Sequence, residues 1–169
     1  MKKLMFSLCS IVACFAVSSC LKNGSSNNTN SCTVTTITTA APDSEVVRLK
    51  TFLDSSGISA IKDNRGFYYT MDTTIADSAH ATNCSYIAFT YKGTFLNGTV
   101  FDSSNQVITY PLANFLVGWQ EAIPLMRKNA SMTLYLPPSL AYGAAGKAPA
   151  IPGNSYLIFY IKLYDFGTL

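Results

Sequence analysis

The chain is short of the residues that most enzyme chemistry uses. Its 169 residues include one histidine, His80, and one tryptophan, Trp119. A multi-histidine metal site is therefore excluded, and a histidine-centred triad would have to be built on His80. That residue sits in Ala79-His80-Ala81-Thr82-Asn83 with no acid beside it, which reads as a solvated loop position. Acids are scarce too: Asp and Glu total nine, and Asp102 alone has a markedly apolar context. No glycine-rich phosphate cradle follows a strand, and no CxxC pair occurs. Nucleotide, dithiol and metal chemistry are disfavoured, and neither a metal nor a cofactor is expected. The formal charge is +3, which falls to about +1 once Lys2 and Lys3 are assigned to a leader. That balance offers no surface for a polyanion, so nucleic acid is excluded as a partner.

Nor is there an apolar run long enough for a permanent membrane span. Residues 4–17 would reach about 21 Å as a helix, against a hydrocarbon core of roughly 30 Å. With two lysines before it and small residues after, the stretch reads as a secretory signal peptide, residues 1–19. Val17-Ser18-Ser19-Cys20 resembles a bacterial lipobox, which implies lipid attachment at Cys20 and anchoring to a membrane of the bacterial cell envelope. Ile11-Val12-Ala13-Cys14 fits the same loose pattern, but would leave a very short apolar core. A plain secreted chain is the other alternative. Residues 20–42 begin with a polar, low-complexity run that cannot bury enough surface to order itself, and so read as a flexible tether. Once Cys9 and Cys14 leave with the leader and Cys20 carries lipid, Cys32 and Cys84 remain. In an oxidising envelope such a pair is expected to form a disulfide.

What the chain does have is apolar and aromatic mass: 49% hydrophobic and 12% aromatic, enough for a packed core. Pro42-Asp43-Ser44-Glu45 reads as a helix start capped by Asp43 or Ser44, and Val46, Leu49, Phe52 and Leu53 form one stripe. The helix is too short for a long dimerisation arm, so a monomer is expected. Residues 65–71 suggest a strand, and 72–83 a loop; together 43–83 form an N-terminal helix and strand extension. From residue 84 onward β-formers dominate. Strands are expected at 85–92, around an Asn97-Gly98 hairpin, at 107–112, at 131–136 and at 157–164, with one helix at 114–126. The fold class is α+β: a twisted antiparallel sheet of about five strands folded over one short helix.

At Tyr91-Lys92-Gly93-Thr94-Phe95-Leu96-Asn97-Gly98-Thr99-Val100-Phe101-Asp102 the chain resembles the FKBP-type peptidyl-prolyl cis-trans isomerases. The likeness continues in order through Val117-Gly118-Trp119-Gln120-Glu121-Ala122 and Leu136-Pro137-Pro138-Ser139-Leu140-Ala141-Tyr142-Gly143. It ends with Ile151-Pro152-Gly153-Asn154 and Leu157-Ile158-Phe159. The resemblance implies an isomerase domain over residues 84–169, with an apolar cup between sheet and helix. Trp119 would floor that cup and Phe159 would stand beside it. Tyr91, Phe101, Ile108, Leu116 and Ile151 would wall it, Phe115 would offer backbone contacts, and Asp102 and Tyr142 would be the polar rim. Three positions depart from the family pattern: Ile108, Asn114 and Lys147. They affect substrate preference and the binding of the family's macrolide inhibitors. The implied substrates are X–Pro segments of exported or unfolded polypeptides. The alternative is a non-catalytic proline-segment-binding or chaperone module that uses the same cup.

Overall fold

A computed structural model describes residues 32–34, 37–72 and 79–168. The expected signal peptide, Cys20 and most of the expected tether lie outside the described residues. The elements in chain order are α1 (Asp43–Ser55), β1 (Ile61–Lys62), β2 (Tyr68–Met71), β3 (Ser85–Phe95), β4 (Val100–Pro111), α2 (Val117–Ala122), β5 (Ser131–Leu136) and β6 (Leu157–Thr168). The strands form one antiparallel sheet in the order β1-β2-β5-β6-β3-β4. Two of its six strands come from the extension, because β2 pairs with β5 from Tyr68↔Tyr135 to Met71↔Met132.

α1 starts differently from the expectation. Pro42 is its N-cap, and no side chain caps the helix, so neither Asp43 nor Ser44 plays that part. Asp43 already lies within the first turn, where its carboxylate serves the helix dipole instead. Val46, Leu49 and Leu53 are buried against Tyr68, Tyr135, Tyr156 and Ile158. The end of the expected tether is also tied down. The Ala41 N–H donates to the Arg65 carbonyl at 2.8 Å, and a disulfide joins Cys32 to Cys84.

The β3–β4 hairpin turns at Asn97-Gly98. Gly98 takes φ +83°, which only glycine accepts without strain, and Asn97 Oδ1 accepts the Thr99 N–H at 3.0 Å. The two strands expected after this turn are one continuous strand. Asn105, Gln106 and Val107 are absorbed where the register passes from Tyr91↔Ser104 to Phe89↔Ile108.

The helix expected at 114–126 is only six residues long. Phe115 and Leu116 are extended (ψ 172° and 146°), and 3₁₀ turns at Leu112–Asn114 and Ile123–Leu125 flank α2. Pro124 explains the downstream limit, since its ring cannot donate to a continuing α ladder. The extended pair upstream places Phe115 and Leu116 at the edge of the space between helix and sheet. Trp119, Phe89, Ile87, Leu134, Leu157 and Leu163 fill the core beneath.

Candidate functional site

One cavity of about 370 Å³ collects side chains from five separate parts of the fold. β3 supplies Tyr91; β4 supplies Phe101, Asp102 and Ile108; the approach to α2 and the helix itself supply Asn114, Phe115, Leu116 and Trp119. The loop after β5 gives Tyr142 and Lys147, and β6 gives Phe159. Its volume lies in the roughly 300–1,000 Å³ range of small-molecule sites. A larger groove of about 520 Å³ lies over Thr90, Lys92, Tyr160 and Lys162, with threonine and serine side chains along much of it. It lacks the ring cluster that could hold an apolar group.

Trp119 is the hub of that cluster. Phe159, Phe89 and Tyr91 stand nearly edge-on to the indole, with centroids at 5.3, 5.3 and 5.9 Å. Phe115 stacks on it at 5.0 Å with the planes 10° apart, so only 2% of the tryptophan is open. The indole Nε1 has no acceptor among the described residues. Phe101 stands edge-on to Phe159 at 5.6 Å. Gly93 allows that approach: a Cβ there would lie 2.5 Å from Phe101 Cζ and 3.1 Å from Phe159 Cε1. Any side chain at this position would displace the Phe101 ring.

At the rim, the Tyr91 hydroxyl donates to Asp102 Oδ2 at 2.6 Å. Burial pushes the Tyr91 phenol well above its ordinary pKa, and the Asp102 bond adds to the effect. The phenol therefore stays a donor across the physiological range. Lys147 lies 5.6 Å over the Tyr142 ring and adds a cation to the same rim. Gln120 Nε2 donates to the carbonyls of Ala113 at 3.1 Å and Phe115 at 2.7 Å. These bonds hold the extended segment that borders the cup.

Two residues sit differently from the sequence reading. Ile151 is buried in the core, 3% exposed, and is not among the cup's side chains. Its contribution is main-chain pairing with Lys147 (2.8 and 2.9 Å), which fixes the cation at the rim. Asp102 is exposed, and the buried acid is Glu121. Nothing in the run Gln120-Glu121-Ala122 distinguishes the two polar residues; the direction α2 presents to the core does. Phe89 was also unremarked in the sequence, although its alternation with Ile87 and Tyr91 places it on the inner face. His80 is pinned rather than free: Nδ1 lies 2.8 Å from the Pro124 carbonyl, and Nε2 pairs with Arg127.

Among the described residues, neither Glu121 carboxylate oxygen has a hydrogen-bond partner. Arg65 Nε is 4.0 Å from Oε2 and is itself held by Asp63 at 2.7 Å. Burial raises the Glu121 pKa from 4.5 to about 7; Arg65 opposes the shift and Asp63 adds to it. The folded chain thus binds a proton that the unfolded chain releases between those values. Stability falls as pH rises from about 4.5 to about 7, and is level in this respect above it. Glu121→Gln should therefore raise the melting temperature at pH 8 and leave it unchanged at pH 4. Thermal melts at the two pH values check this, and an equal shift at both would contradict it.

A sheet wrapped on a short helix, with aromatic rings around a cavity and one acid at its lip, defines an α+β domain with an apolar cup. The sequence profile of the FKBP-type peptidyl-prolyl cis-trans isomerases matches residues 77–164, more than half of the chain. The chain belongs to that family. Among curated relatives it is 37% identical to the FKBP-type isomerase FkpA of Buchnera aphidicola subsp. Schizaphis graminum, over 72% of this chain and 48% of the relative. It is 44% identical to the isomerase Mip of Coxiella burnetii, over 46% of this chain and 35% of that one. The chain thus spans about half or less of the length of these relatives. Of solved structures, a peptidyl-prolyl isomerase from Pseudomonas syringae pv. tomato aligns with a TM-score of 0.65 at 25% identity, over 77% of this chain and 99% of the other. FkpA from Escherichia coli aligns with a TM-score of 0.64 at 27% identity, over 75% and 61% of the two chains.

Proposed function

We propose that the chain is a peptidyl-prolyl cis-trans isomerase of the bacterial cell envelope, lipid-anchored through Cys20, that acts on X–Pro segments of exported or unfolded polypeptides. The observation that carries the reading is the ring cup on Trp119 with Tyr91 and Asp102 paired at its rim. Rotation about an X–Pro bond is slow because it breaks amide resonance, a barrier of about 18–20 kcal/mol. No nucleophile is required to lower it. A site needs only to bind the twisted amide more tightly than the planar one.

Water favours the planar amide, whose carbonyl oxygen carries extra negative charge and accepts hydrogen bonds. A cup walled by Trp119, Phe159 and Phe101 withholds that solvation. As the bond twists, Tyr142 can donate to the carbonyl, and the exposed Asp102 carboxylate, steadied by Tyr91, sets the field at the redistributing charge. Each 1.36 kcal/mol of preferential stabilisation is tenfold in rate, so about 7 kcal/mol would supply roughly 10⁵. Packing and one or two oriented dipoles are the contributions this reading asks of the site.

Ile108 and Lys147, which both line the cup, favour the second reading, a module that binds proline segments without turning them over. The two readings part on one measurement, protease-coupled relaxation of a short X–Pro peptide. An isomerase accelerates the cis-to-trans phase in proportion to its concentration. A binding module quenches or enhances the fluorescence of Trp119, the sole tryptophan, while leaving that phase at its uncatalysed rate.

A further inference from the structure

The family match begins at residue 77, yet Glu45 on α1 reaches the loop that carries the rim. Pro137 and Pro138 have no N–H, so Ser139 holds the first main-chain donor of the 3₁₀ turn Pro138–Leu140. Such leading donors find no acceptor inside the turn, and no local side chain caps this one. Glu45 Oε2 does so from the far end of the chain. It accepts the Ser139 N–H at 2.9 Å and the Ser139 hydroxyl at 2.7 Å. Bonds to an ionised oxygen are the stronger kind, and two on one atom fix direction as well as distance.

The turn so held leads directly to Tyr142. The Pro138 carbonyl accepts the N–H groups of Ala141 at 2.9 Å and Gly143 at 2.8 Å, one on either side of the tyrosine. Glu45 has its own footing, because Val46 and Leu49 beside it are buried under Tyr135, Tyr156 and Ile158. We infer that Glu45 is a positioning residue for the isomerase site: through Ser139, helix α1 aims the Tyr142 hydroxyl at the cup. This rests on the reading of the cup as a prolyl isomerase site. It gives the N-terminal extension a part in turnover that its sequence does not suggest.

Glu45→Ala removes the acceptor, whereas Glu45→Gln keeps a carbonyl oxygen that can take the same two donors. With an X–Pro peptide, kcat/KM should fall about tenfold in Glu45→Ala and stay within about twofold of wild type in Glu45→Gln. In a Tyr142→Phe background, which lacks the hydroxyl being aimed, adding Glu45→Ala should cost nothing more. Equal losses in both backgrounds would mean that Glu45 acts by general stability and would overturn the inference, as would full activity in Glu45→Ala. Amide hydrogen exchange at Ala141 and Gly143 reads the brace without turnover. It should quicken in Glu45→Ala and not in Glu45→Gln, and unchanged exchange in the alanine variant also overturns the inference. If exchange quickens in Glu45→Ala but the wild type shows no turnover, the isomerase reading fails while the brace from α1 stands.

Discussion

Trp119→Leu should abolish most of the catalysis and much of the stability together, whereas Asp102→Asn should lower catalysis alone. The tryptophan touches four other rings, and aromatic pairs contribute about 0.5–1.5 kcal/mol each beyond the area they bury. With the volume left by the smaller side chain, the expected loss is about 3 kcal/mol of folding stability. Turnover should fall about a hundredfold, because leucine leaves the cup wider and wetter and the planar amide regains its solvation. Asp102 is exposed and makes one rim bond, so its substitution should leave the melting temperature within a degree or two. Its turnover should drop about tenfold, equivalent to about 1.4 kcal/mol of differential stabilisation. The measurements are urea titration and peptide relaxation at low temperature, where all three proteins are folded. Unchanged turnover in both variants would remove the cup from the mechanism.

The second large effect belongs to the Cys32–Cys84 disulfide, which closes a loop of 52 residues. In the chain-entropy account a cross-link of that span stabilises by about 4 kcal/mol, acting on the unfolded ensemble. For a domain of this size, its removal should lower the melting temperature by roughly 10 °C or more. Cys84 immediately precedes β3, the strand that carries Tyr91, so the bond also ties the entry of the extension to the root of the site. Cys32→Ser paired with Cys84→Ser, or reductant added to the wild type, should give the same shift. Turnover should survive at temperatures where the protein stays folded, since neither cysteine lines the cup. A melting temperature indifferent to reductant would refute the stabilising role.

The strands were legible because alternation is a local property. Met132, Leu134 and Leu136, or Leu157, Phe159, Ile161 and Leu163, declare a half-buried strand wherever it ends up. The Asn97-Gly98 turn was legible for a similar reason, since its backbone demands are met within four residues. Elements whose limits depend on partners were less so. The helix at 114–126 shrank to Val117–Ala122 because Phe115 and Leu116 are drawn out to border the cup, and Pro124 forbids continuation. Two strands merged into β4 because pairing with β3 tolerates extra residues opposite Thr90. The extension supplies strands to the main sheet because β5 has a free edge for β2 to join.

The same division runs through the site. By itself, the order of residues determined which chemistries are excluded, which side chains could form an apolar cup, and that a carboxylate and a tyrosine stand among them. Residue type and near-neighbour spacing carry that much. Only the tertiary structure decided that Asp102 lies open while Glu121 is buried beside Arg65, that Ile151 serves through its backbone, and that Glu45 reaches Ser139. Each of these depends on the direction in which a side chain leaves its element and on what a distant part of the chain places in its path. Desolvation and hydrogen bonding act over a few ångströms of space, whatever the separation along the chain.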